Sequence, residues 1–367
     1  MTTINLFILS LLFIKCESSS LFLNINNVNT TINNKSSIND NNNNNENRIN
    51  YHEFWTLWKL KYNQYYVEPM EELKRFIYWK MNTDEILLHN LKYDLNLKSY
   101  RKSINQYTAT DWSEFEKKKT KRKFNTLTLN KKYLQNKIDA LSMNKYRNFN
   151  RINNDLPDNF DWRDNDTVTP VKTQDNCASS WAMASVEALE GQIKLKTGIL
   201  TALSAQQLVD CIGDDECEEN SLTVAFDYIK EKGVESQENY PFTGEVGNCT
   251  YDLTKATATL SSYKQVESNN EIELQKALYN IGPIAVRISM TQDFLAYESG
   301  VLLIDTCQDK EPFESVLLIG YGIENDQPYW LVKFSMGDQF ADHGYMKLAR
   351  NYGNMCHIAS YAYYPVI

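Results

Sequence analysis

One short stretch of the sequence places chemically useful side chains at the start of a helix. It runs from Gln174 to Ala182 as Gln-Asp-Asn-Cys-Ala-Ser-Ser-Trp-Ala, and the pattern after it predicts a helix from about Met183 to Lys196. Ser180 lies near the N-terminus of that helix, where the helix dipole favours negative charge. A serine hydroxyl is a weak nucleophile unless an adjacent base removes its proton. The chemistry of this stretch therefore depends on the base that the rest of the chain supplies.

The order of these residues resembles the active-site segment of papain and the cathepsins. In that family the residue before the tryptophan is a nucleophilic cysteine, and the matching residue here is Ser180, followed by Trp181 in the cleft. The resemblance assigns Gln174 to the side chain that donates a hydrogen bond to the oxyanion. It implies that the nucleophile is replaced while an oxyanion donor is kept.

The other catalytic positions of the family are also changed. The catalytic histidine precedes an apolar strand that leads into Gly-Tyr-Gly, and the matching residue is Glu314. A carboxylate of ordinary pKa, about 4.3, is a poor base for an alcohol near neutral pH. The asparagine that orients the histidine matches Phe334, and the tryptophan that shields the pair matches Met336. His343 and His357 match no catalytic position, so we expect no intact catalytic triad.

The resemblance also implies an altered substrate cleft. A Cys-x-Gly-Gly segment of the family lets the substrate backbone approach closely, and here it reads Cys217-Glu218-Glu219-Asn220. Asp175 and Ala178 replace two further glycines that flank the first cysteine. We expect an incoming peptide to meet side-chain bulk and two carboxylates in this groove.

The elements that would position these residues follow the order of a two-part fold. The segment from Leu156 to Arg163 resembles the start of a mature papain-type domain, and the resemblance continues to the end of the chain. It implies an α+β fold with a helical half, a β-barrel-like half and a cleft between them. Helices are predicted at 182–196, 205–211 and 221–232, and strands at 284–289, 314–321, 330–334 and 344–348.

The front of the chain is predicted to consist of targeting and spacer segments. Residues 1–20 contain a short apolar run before a small-residue stretch and are interpreted as a signal peptide. Residues 21–50 are dominated by asparagine and are interpreted as a disordered spacer. The sequence contains no run of about 18 apolar residues, so we expect no membrane span.

Residues 51–115 resemble the inhibitory propeptide of cathepsins. A helix is predicted from Glu71 to Leu91, and six of its residues follow the family's spacing: Glu71, Arg75, Trp79, Asn82, Ile86 and Asn90. Residues 105–107 and 114–115 resemble the short strand and the end of that propeptide, although Ala109 stands where the family has aspartate. The resemblance implies that this propeptide lies over the cleft.

A change in charge supports a boundary between residues 154 and 155. Residues 155–367 carry 33 acidic and 14 basic side chains, a net charge of −19, and the preceding residues carry a net charge of +10. Opposite charges would attract the propeptide to the mature domain, and an acidic domain is a poor partner for nucleic acid. Residues 116–154, with the basic cluster from Lys117 to Lys123, are interpreted as a processing linker or a solvated charge run.

The cysteines indicate disulfides, because six of the seven lie after residue 176 and metal-binding spacing is missing. Six cysteines allow 15 pairings. The family pattern implies Cys177–Cys217, Cys211–Cys249 and Cys307–Cys356, with no cofactor or metal. Glycosylation sequons fit the same secretory route, and they lie at Asn29, Asn34, Asn165 and Asn248.

These observations predict a member of the family that is secreted or lies in the lumen of the endolysosomal or digestive tract. It is expected to act by binding, as a decoy or modulator, with no catalytic activity of its own. Host proteins, protease inhibitors and active relatives are the partner classes that analogy leaves open. The first alternative is a weak peptidase that uses Ser180 with Glu314 as its base at acidic pH, which requires that burial raise the pKa of Glu314. The second is a propeptide that inhibits active relatives in trans.

Overall fold

The computed structural model describes residues 49–120, 156–212 and 217–367, and it divides the chain into two compact units between Gln64 and Tyr65. The first unit contains helix α1, Tyr51–Lys61, whose first turn is capped by the side chain of Asn50. Trp55 and Trp58 are its buried residues, and their rings stack at 5.0 Å. The predicted signal peptide, most of the spacer, most of the linker and the sequons at Asn29 and Asn34 lie outside the described residues.

The second unit begins with the propeptide region. It contains helix α2, Pro69–Asp94, strand β1, Tyr100–Lys102, and helix α3, Trp112–Lys119. The sequence predicted the short strand at residues 105–107, but it lies earlier, at Tyr100–Lys102. Asn105 to Tyr107 instead form a turn, in which the side chain of Asn105 accepts a hydrogen bond from the N–H of Tyr107. Helix α3 continues four residues beyond the predicted end of the propeptide at 115.

The polar side chains of the propeptide pattern lie on α2 and bind the segment from Lys102 to Glu114, which runs back along this helix. Arg75 forms ion pairs with Glu71, at 2.6 Å, and with Glu114, at 2.8 Å. Asn82 donates to the carbonyl of Thr108 at 2.8 Å. Farther along the helix, Asn90 both donates to and accepts from the backbone of Lys102. These contacts explain the spacing, because residues four and seven to eight apart share one face of a helix.

The helices of the mature region pack mainly in its first half. They are α4, Ser180–Thr197, α5, Ala205–Ile212, α6, Leu222–Lys232, α7, Glu271–Ile281, and α8, Gln292–Ala296. Every residue of α4 from Ser180 to Gly191 is buried. Small residues on all sides of its first three turns let it pack closely on both halves of the fold.

The second half is a sheet of nine strands among the described residues. Its mature strands are β2, Phe160–Asp161, β5, Ser262–Gln265, β6, Ile284–Ile288, β7, Tyr297–Leu302, β8, Glu314–Glu324, β9, Gln327–Lys333, β10, Tyr345–Ala349, and β11, Ala362–Val366. The order is β1-β7-β10-β9-β8-β6-β11-β5, with β2 on β8, so the propeptide supplies an edge strand. Strands β3, Val234–Glu235, and β4, Ala256–Ala258, form a separate pair.

Two apolar cores match the two predicted halves of the α+β fold. One lies among α4, α5 and α6, and the other among the sheet, α7 and α8. Strand β8 lies between them, because Leu317 and Ile319 face the helical core while Val316 and Leu318 face the other. The start of α4 and the start of β8 therefore meet where the two halves join.

Three disulfides cross-link loops around these cores. They are the pairs that the resemblance implies: Cys177–Cys217, Cys211–Cys249 and Cys307–Cys356. The first joins the segment before α4 to the loop that carries Glu219. Within the described ranges, no helix has the length and apolar character needed to cross a bilayer.

A buried ion pair joins α4 to β9 behind the candidate site. The ammonium of Lys333 lies 2.8 Å from the carboxylate of Glu187, and both side chains are at most 1% exposed. Removing one member of such a pair leaves the other charge buried and uncompensated.

We expect Lys333→Met to lower the free energy of unfolding by about 3–5 kcal/mol. The matched control is Lys276→Met, which breaks an exposed pair with Glu273 and is expected to cost less than about 1 kcal/mol. Denaturant titration of both full-length variants measures the difference. Equal losses in the two variants would contradict the prediction.

Candidate active site

The side chain of Ser180 lies at the junction of the two halves. Ser180 is the first helical residue of α4 and is 2% exposed. Its hydroxyl oxygen accepts a hydrogen bond from the backbone N–H of Ser315 at 3.1 Å. The neighbouring Ser179 caps the helix with its backbone only. The positive end of the helix dipole is therefore directed at the space around Ser180.

Glu314, at the start of β8, occupies the position facing Ser180. Its carboxylate is fully buried and accepts a hydrogen bond from the side-chain amide of Gln174 at 2.9 Å. Burial raises the pKa of Glu314, and this effect outweighs the lowering by the Lys119 charge and by hydrogen bonds from Gln174 and Ser180. The serine hydroxyl and the glutamate carboxyl thus interact directly.

Lys119 is the nearby cation, and it comes from the last residue of α3. Its side chain is buried, and burial lowers the pKa of its ammonium while the charge of Glu314 raises it. In the sequence this residue belongs to the basic cluster from Lys117 to Lys123, which was interpreted as a processing linker or a solvated charge run and not connected with the site. The signal that could have found it is the i, i+4 spacing from Phe115, which puts both on the buried face of α3.

Gln174 is held beside the site by the backbone. Its N–H donates to the carbonyl of Ser335 at 2.8 Å, and Thr173 pairs with Met336 next to it. Its side-chain Nε2 is engaged by Glu314, whereas its Oε1 is buried with no hydrogen-bond partner among the described residues. The amide that the resemblance assigns to an oxyanion therefore binds a carboxylate in this structure.

Phe334 and Met336 lie in an apolar cluster behind Glu314. Phe334 is fully buried, with its ring centroid 5.3 Å from that of Phe340 and 6.4 Å from that of Phe294. A phenyl ring offers no hydrogen bond to orient a base. Met336 is buried in the same core. The position that the family uses for an orienting amide has become part of the hydrophobic core.

The glycine replacements in the cleft have distinct structural consequences. Asp175 has a φ of +47°, in the left-handed region that favours glycine, and Thr173 donates to its carboxylate at 2.9 Å. Ala178 is buried. Trp181 is also buried, and its indole N–H donates to the carbonyl of Glu218 at 3.2 Å. Asn220 accepts from the N–H of Ser221, at the start of α6.

Glu219 differs from the expectation that it presents a negative charge to incoming peptide. Its carboxylate forms an ion pair with the guanidinium of Arg287 on β6, and both side chains are at most 10% exposed. The charge of Glu219 is therefore compensated, and the pair adds bulk to this side of the cleft. An arginine within the apolar strand Ile284–Ile288 was the available sequence signal for a buried acidic partner.

The histidines of the second unit lie elsewhere. The ring of His89 bonds the carbonyl of Tyr100 at 2.9 Å, and that of His357 bonds the carbonyl of Gln308 at 3.0 Å. His343 lies in an exposed turn with a φ of +53°. Among the remaining predicted sites, the sequons at Asn165 and Asn248 are exposed.

Comparisons with known proteins match both parts of the chain. The model of the papain family cysteine proteases matches residues 156–366, and that of the cathepsin propeptide inhibitor domain matches residues 55–115. Bovine cathepsin S is 37% identical over 319 residues, which cover 85% of this chain and 92% of the relative. A cathepsin L-like proteinase of Fasciola hepatica is 35% identical over 86% of this chain and 93% of its own.

Solved proforms of such proteases share the arrangement of propeptide and mature domain. Digestive procathepsin L 3 from the larval midgut of Tenebrio molitor superposes with a TM-score of 0.73 and 32% identity, covering 87% of this chain and all of that chain. The proform of the ragweed pollen protease Amb a 11 gives a TM-score of 0.71 and 27% identity, over 86% and 94% of the two chains. The propeptide region of this chain lies over the cleft as in those proforms.

The raised pKa of Glu314 predicts a pH dependence of stability that Glu314→Gln removes. A carboxyl with a raised pKa binds its proton more tightly in the folded than in the unfolded state. Folding stability is therefore lost as pH rises from the ordinary pKa of a glutamate through the raised pKa. We expect the wild-type free energy of unfolding to fall relative to that of the variant over this range. Denaturation of both proteins at a series of pH values measures it, and a constant difference would contradict it.

Proposed function

This chain belongs to the papain family of cysteine proteases, and from that membership we propose that it is a non-catalytic member that binds polypeptides. The observation that carries the proposal is the set of side chains at the catalytic positions: Ser180, Glu314 and Phe334. Each of them lacks the chemical group that the family's reaction needs, and each is held in its place by contacts of the surrounding fold.

The nucleophile is the first reason. A thiol is partly ionised near neutral pH, whereas the hydroxyl of Ser180 needs a base to remove its proton during attack. Its hydroxyl oxygen already accepts a hydrogen bond from Ser315. The helix dipole of α4 supports a thiolate at this position but cannot ionise an alcohol.

The base and its supports are the second reason. The carboxylate of Glu314 accepts a hydrogen bond from Gln174 and is stabilised by the charge of Lys119. Both effects lower the pKa of Glu314 and so make it a weaker base toward the serine proton. Phe334 cannot orient a base. Loss of a complete catalytic triad in a serine protease costs roughly 10⁶ in rate.

The cleft is the third reason. The buried pair of Glu219 and Arg287 fills one side of it, and the side chains of Asp175 and Ala178 stand where the family has glycine. The propeptide covers the site with Lys119. Productive docking of a peptide bond over Ser180 requires space that these groups occupy.

The protein is proposed to act after secretion, or in an endolysosomal or digestive lumen, on host proteins, protease inhibitors or active relatives. Three disulfides fit an oxidising compartment. The predicted signal peptide at residues 1–20 and the exposed sequons at Asn165 and Asn248 fit the same route. A retained fold with altered catalytic positions fits a role in binding.

A second candidate function is hydrolysis by Ser180 with Glu314 as base. The raised pKa of Glu314 and its contact with Ser180 favour it, and Gln174 supplies an orienting contact that the sequence did not suggest. A base acts in its ionised form, so this activity would increase as pH rises through the raised pKa. The raised pKa moves the onset of this activity to a higher pH than a glutamate of ordinary pKa would give.

We expect the purified protein, with its propeptide removed by added protease, to release no fluorophore from peptide substrates between pH 3 and 8. Ser180→Ala is the matched control, because it removes the only hydroxyl at the nucleophile position. Hydrolysis that increases with pH and disappears in Ser180→Ala would establish the second candidate in place of the first.

Reversion of the nucleophile alone is expected to restore no activity, because Ser180→Cys still faces a carboxyl where a histidine is needed. The triple variant Ser180→Cys, Glu314→His, Phe334→Asn is expected to recover little, because the cleft stays filled. The measurements are hydrolysis of the same peptides and alkylation of the new thiol by an active-site-directed epoxide. Strong hydrolysis by the single variant would show that Glu314 does not occupy the base position.

A further inference from the structure

Large apolar side chains on the surface are concentrated in the propeptide. Among the described residues 20 such side chains are exposed, and 14 of them lie between residues 49 and 97. The mature region has far more residues and carries the other 6. A contiguous exposed apolar surface in a soluble protein marks an interaction site. The apolar surface available for binding therefore belongs to the propeptide.

Helix α2 is apolar on two opposite faces. One face carries the buried residues Trp79, Ile86 and His89, and it packs on the rest of its own chain. With 3.6 residues per turn, a second set of side chains falls within an arc of about 80° on the other face. This set, named here the α2 stripe, is exposed and consists of Met70, Leu73, Ile77, Met81, Leu88, Leu91 and, at the C-cap, Leu95. One apolar face is enough to hold a helix on its domain, so the α2 stripe is available to another molecule.

The spacing of the α2 stripe is that of a seam between two helices. From residue 77 onward the steps along the seam are four, three, four, three and four residues, through Ile77, Met81, Asp84, Leu88, Leu91 and Leu95. Alternating steps of four and three form the heptad pattern by which helices pack in a coiled coil. A lipid surface requires an apolar face but no heptad pattern. The spacing therefore favours a helix as the occupant.

Asp84 is the charged position between Ile77 and Leu95 on this seam, and it restricts how two copies of α2 can pair. Its carboxylate lies 2.7 Å from the ammonium of Lys80, and the two side chains are 43% and 42% exposed. Two parallel copies in register would place Asp84 against Asp84, and like charges at such a position repel. An antiparallel pair with its twofold axis at the level of residues 82 and 83 places Asp84 opposite Met81 of the second copy. A single polar seam residue thus selects the antiparallel orientation.

The antiparallel register is self-complementary along the helix. It places Ile77 opposite Leu88 of the second copy, and at the edge of the seam it places Glu71 opposite Lys92 of the second copy. Opposite charges at these edge positions favour the pairing. Helix α2 has 26 residues and is about 39 Å long, so the seam extends over more than three heptads.

We propose that the α2 stripe is a dimerisation surface, on which a second copy of this chain packs through its own α2 in the antiparallel direction. The proform is then a dimer held together by its propeptides. The mature region carries no residue of the α2 stripe, so removal of the propeptide separates the two copies. This inference concerns the propeptide and does not depend on whether the cleft hydrolyses peptides.

The first test is the oligomeric state of the full-length proform in sedimentation velocity, at protein concentrations of roughly 1–100 µM, which bracket a micromolar Kd. We expect a concentration-dependent dimer, and a monomer after the propeptide has been removed by added protease. A proform that stays monomeric over this range would overturn the proposal, and its binding to neutral lipid vesicles would then assign the α2 stripe to a lipid surface. Equal dimerisation with and without the propeptide would overturn it as well.

Leu88→Glu tests the seam. Leu88 is 54% exposed, so its replacement is expected to leave the Tm unchanged while it places two carboxylates in the apolar seam of the dimer. We expect the dimer Kd to rise at least about 100-fold. The matched control is Leu253→Glu, at a leucine of the mature region that is 71% exposed, and it is expected to leave the Kd unchanged. Equal Kd values for the two variants would contradict the proposal.

Cysteine cross-linking tests the orientation. A proform carrying Ile77→Cys is mixed with one carrying Leu88→Cys under mild oxidation. The antiparallel seam brings the two introduced thiols together, so we expect a disulfide-linked heterodimer in the mixture. Either variant alone is expected to cross-link little, because the two copies of residue 77 then lie eleven residues apart along the seam, about 16 Å. Efficient cross-linking of each variant to itself would show a parallel pair and overturn the proposal.

Discussion

The buried carboxyl of Glu314 is the constraint on which the arrangement of the site depends. A carboxylate removed from water must be protonated, hydrogen-bonded or paired with a cation, because the desolvation cost is large. The structure uses hydrogen bonds from Gln174 and Ser180 together with the charge of Lys119, and burial still raises the pKa of Glu314. In an active relative the same space holds an imidazole, which needs no cation beside it. Gln174, which the resemblance assigns to an oxyanion, therefore binds a carboxylate here.

Much of the fold could be predicted from the sequence, because its signals are local. The helix Ser180–Thr197 and the strand Glu314–Glu324 were found within a few residues by apolar pattern and by the motif that each carries. The positions Asn82 and Asn90 were found by spacing, and the structure gives the reason, since both hold the returning chain. Helix Glu271–Ile281 was missed, although Asn270 caps it and two glutamates lie in its first turn.

The candidate site was predictable in its residues but not in its charges. The substitutions at Ser180, Glu314 and Phe334 can be recognised in the sequence, because each residue stands at a set position within a local motif of the family. The compensation of a buried charge by an opposite charge depends on contacts between segments that are distant in sequence, and a single sequence does not specify those contacts. Arg287 lies 68 residues from its partner Glu219. Lys119 precedes Glu314 by 195 residues. Counting carboxylates therefore predicted repulsion in a cleft where one acidic side chain is in fact paired.

The relation between propeptide and mature domain also changes as a result. In a working protease the propeptide restrains a reactive thiolate, and its departure releases activity. Here departure of the propeptide would remove the charge of Lys119 from the surroundings of Glu314 and would break the ion pair that Lys102 forms with Asp293 at 2.8 Å. The mature domain can respond at Glu314 by taking up a proton, which the raised pKa favours. A buried acid at the position of the family's histidine thus makes the charge of this cleft depend on pH and on the presence of the propeptide.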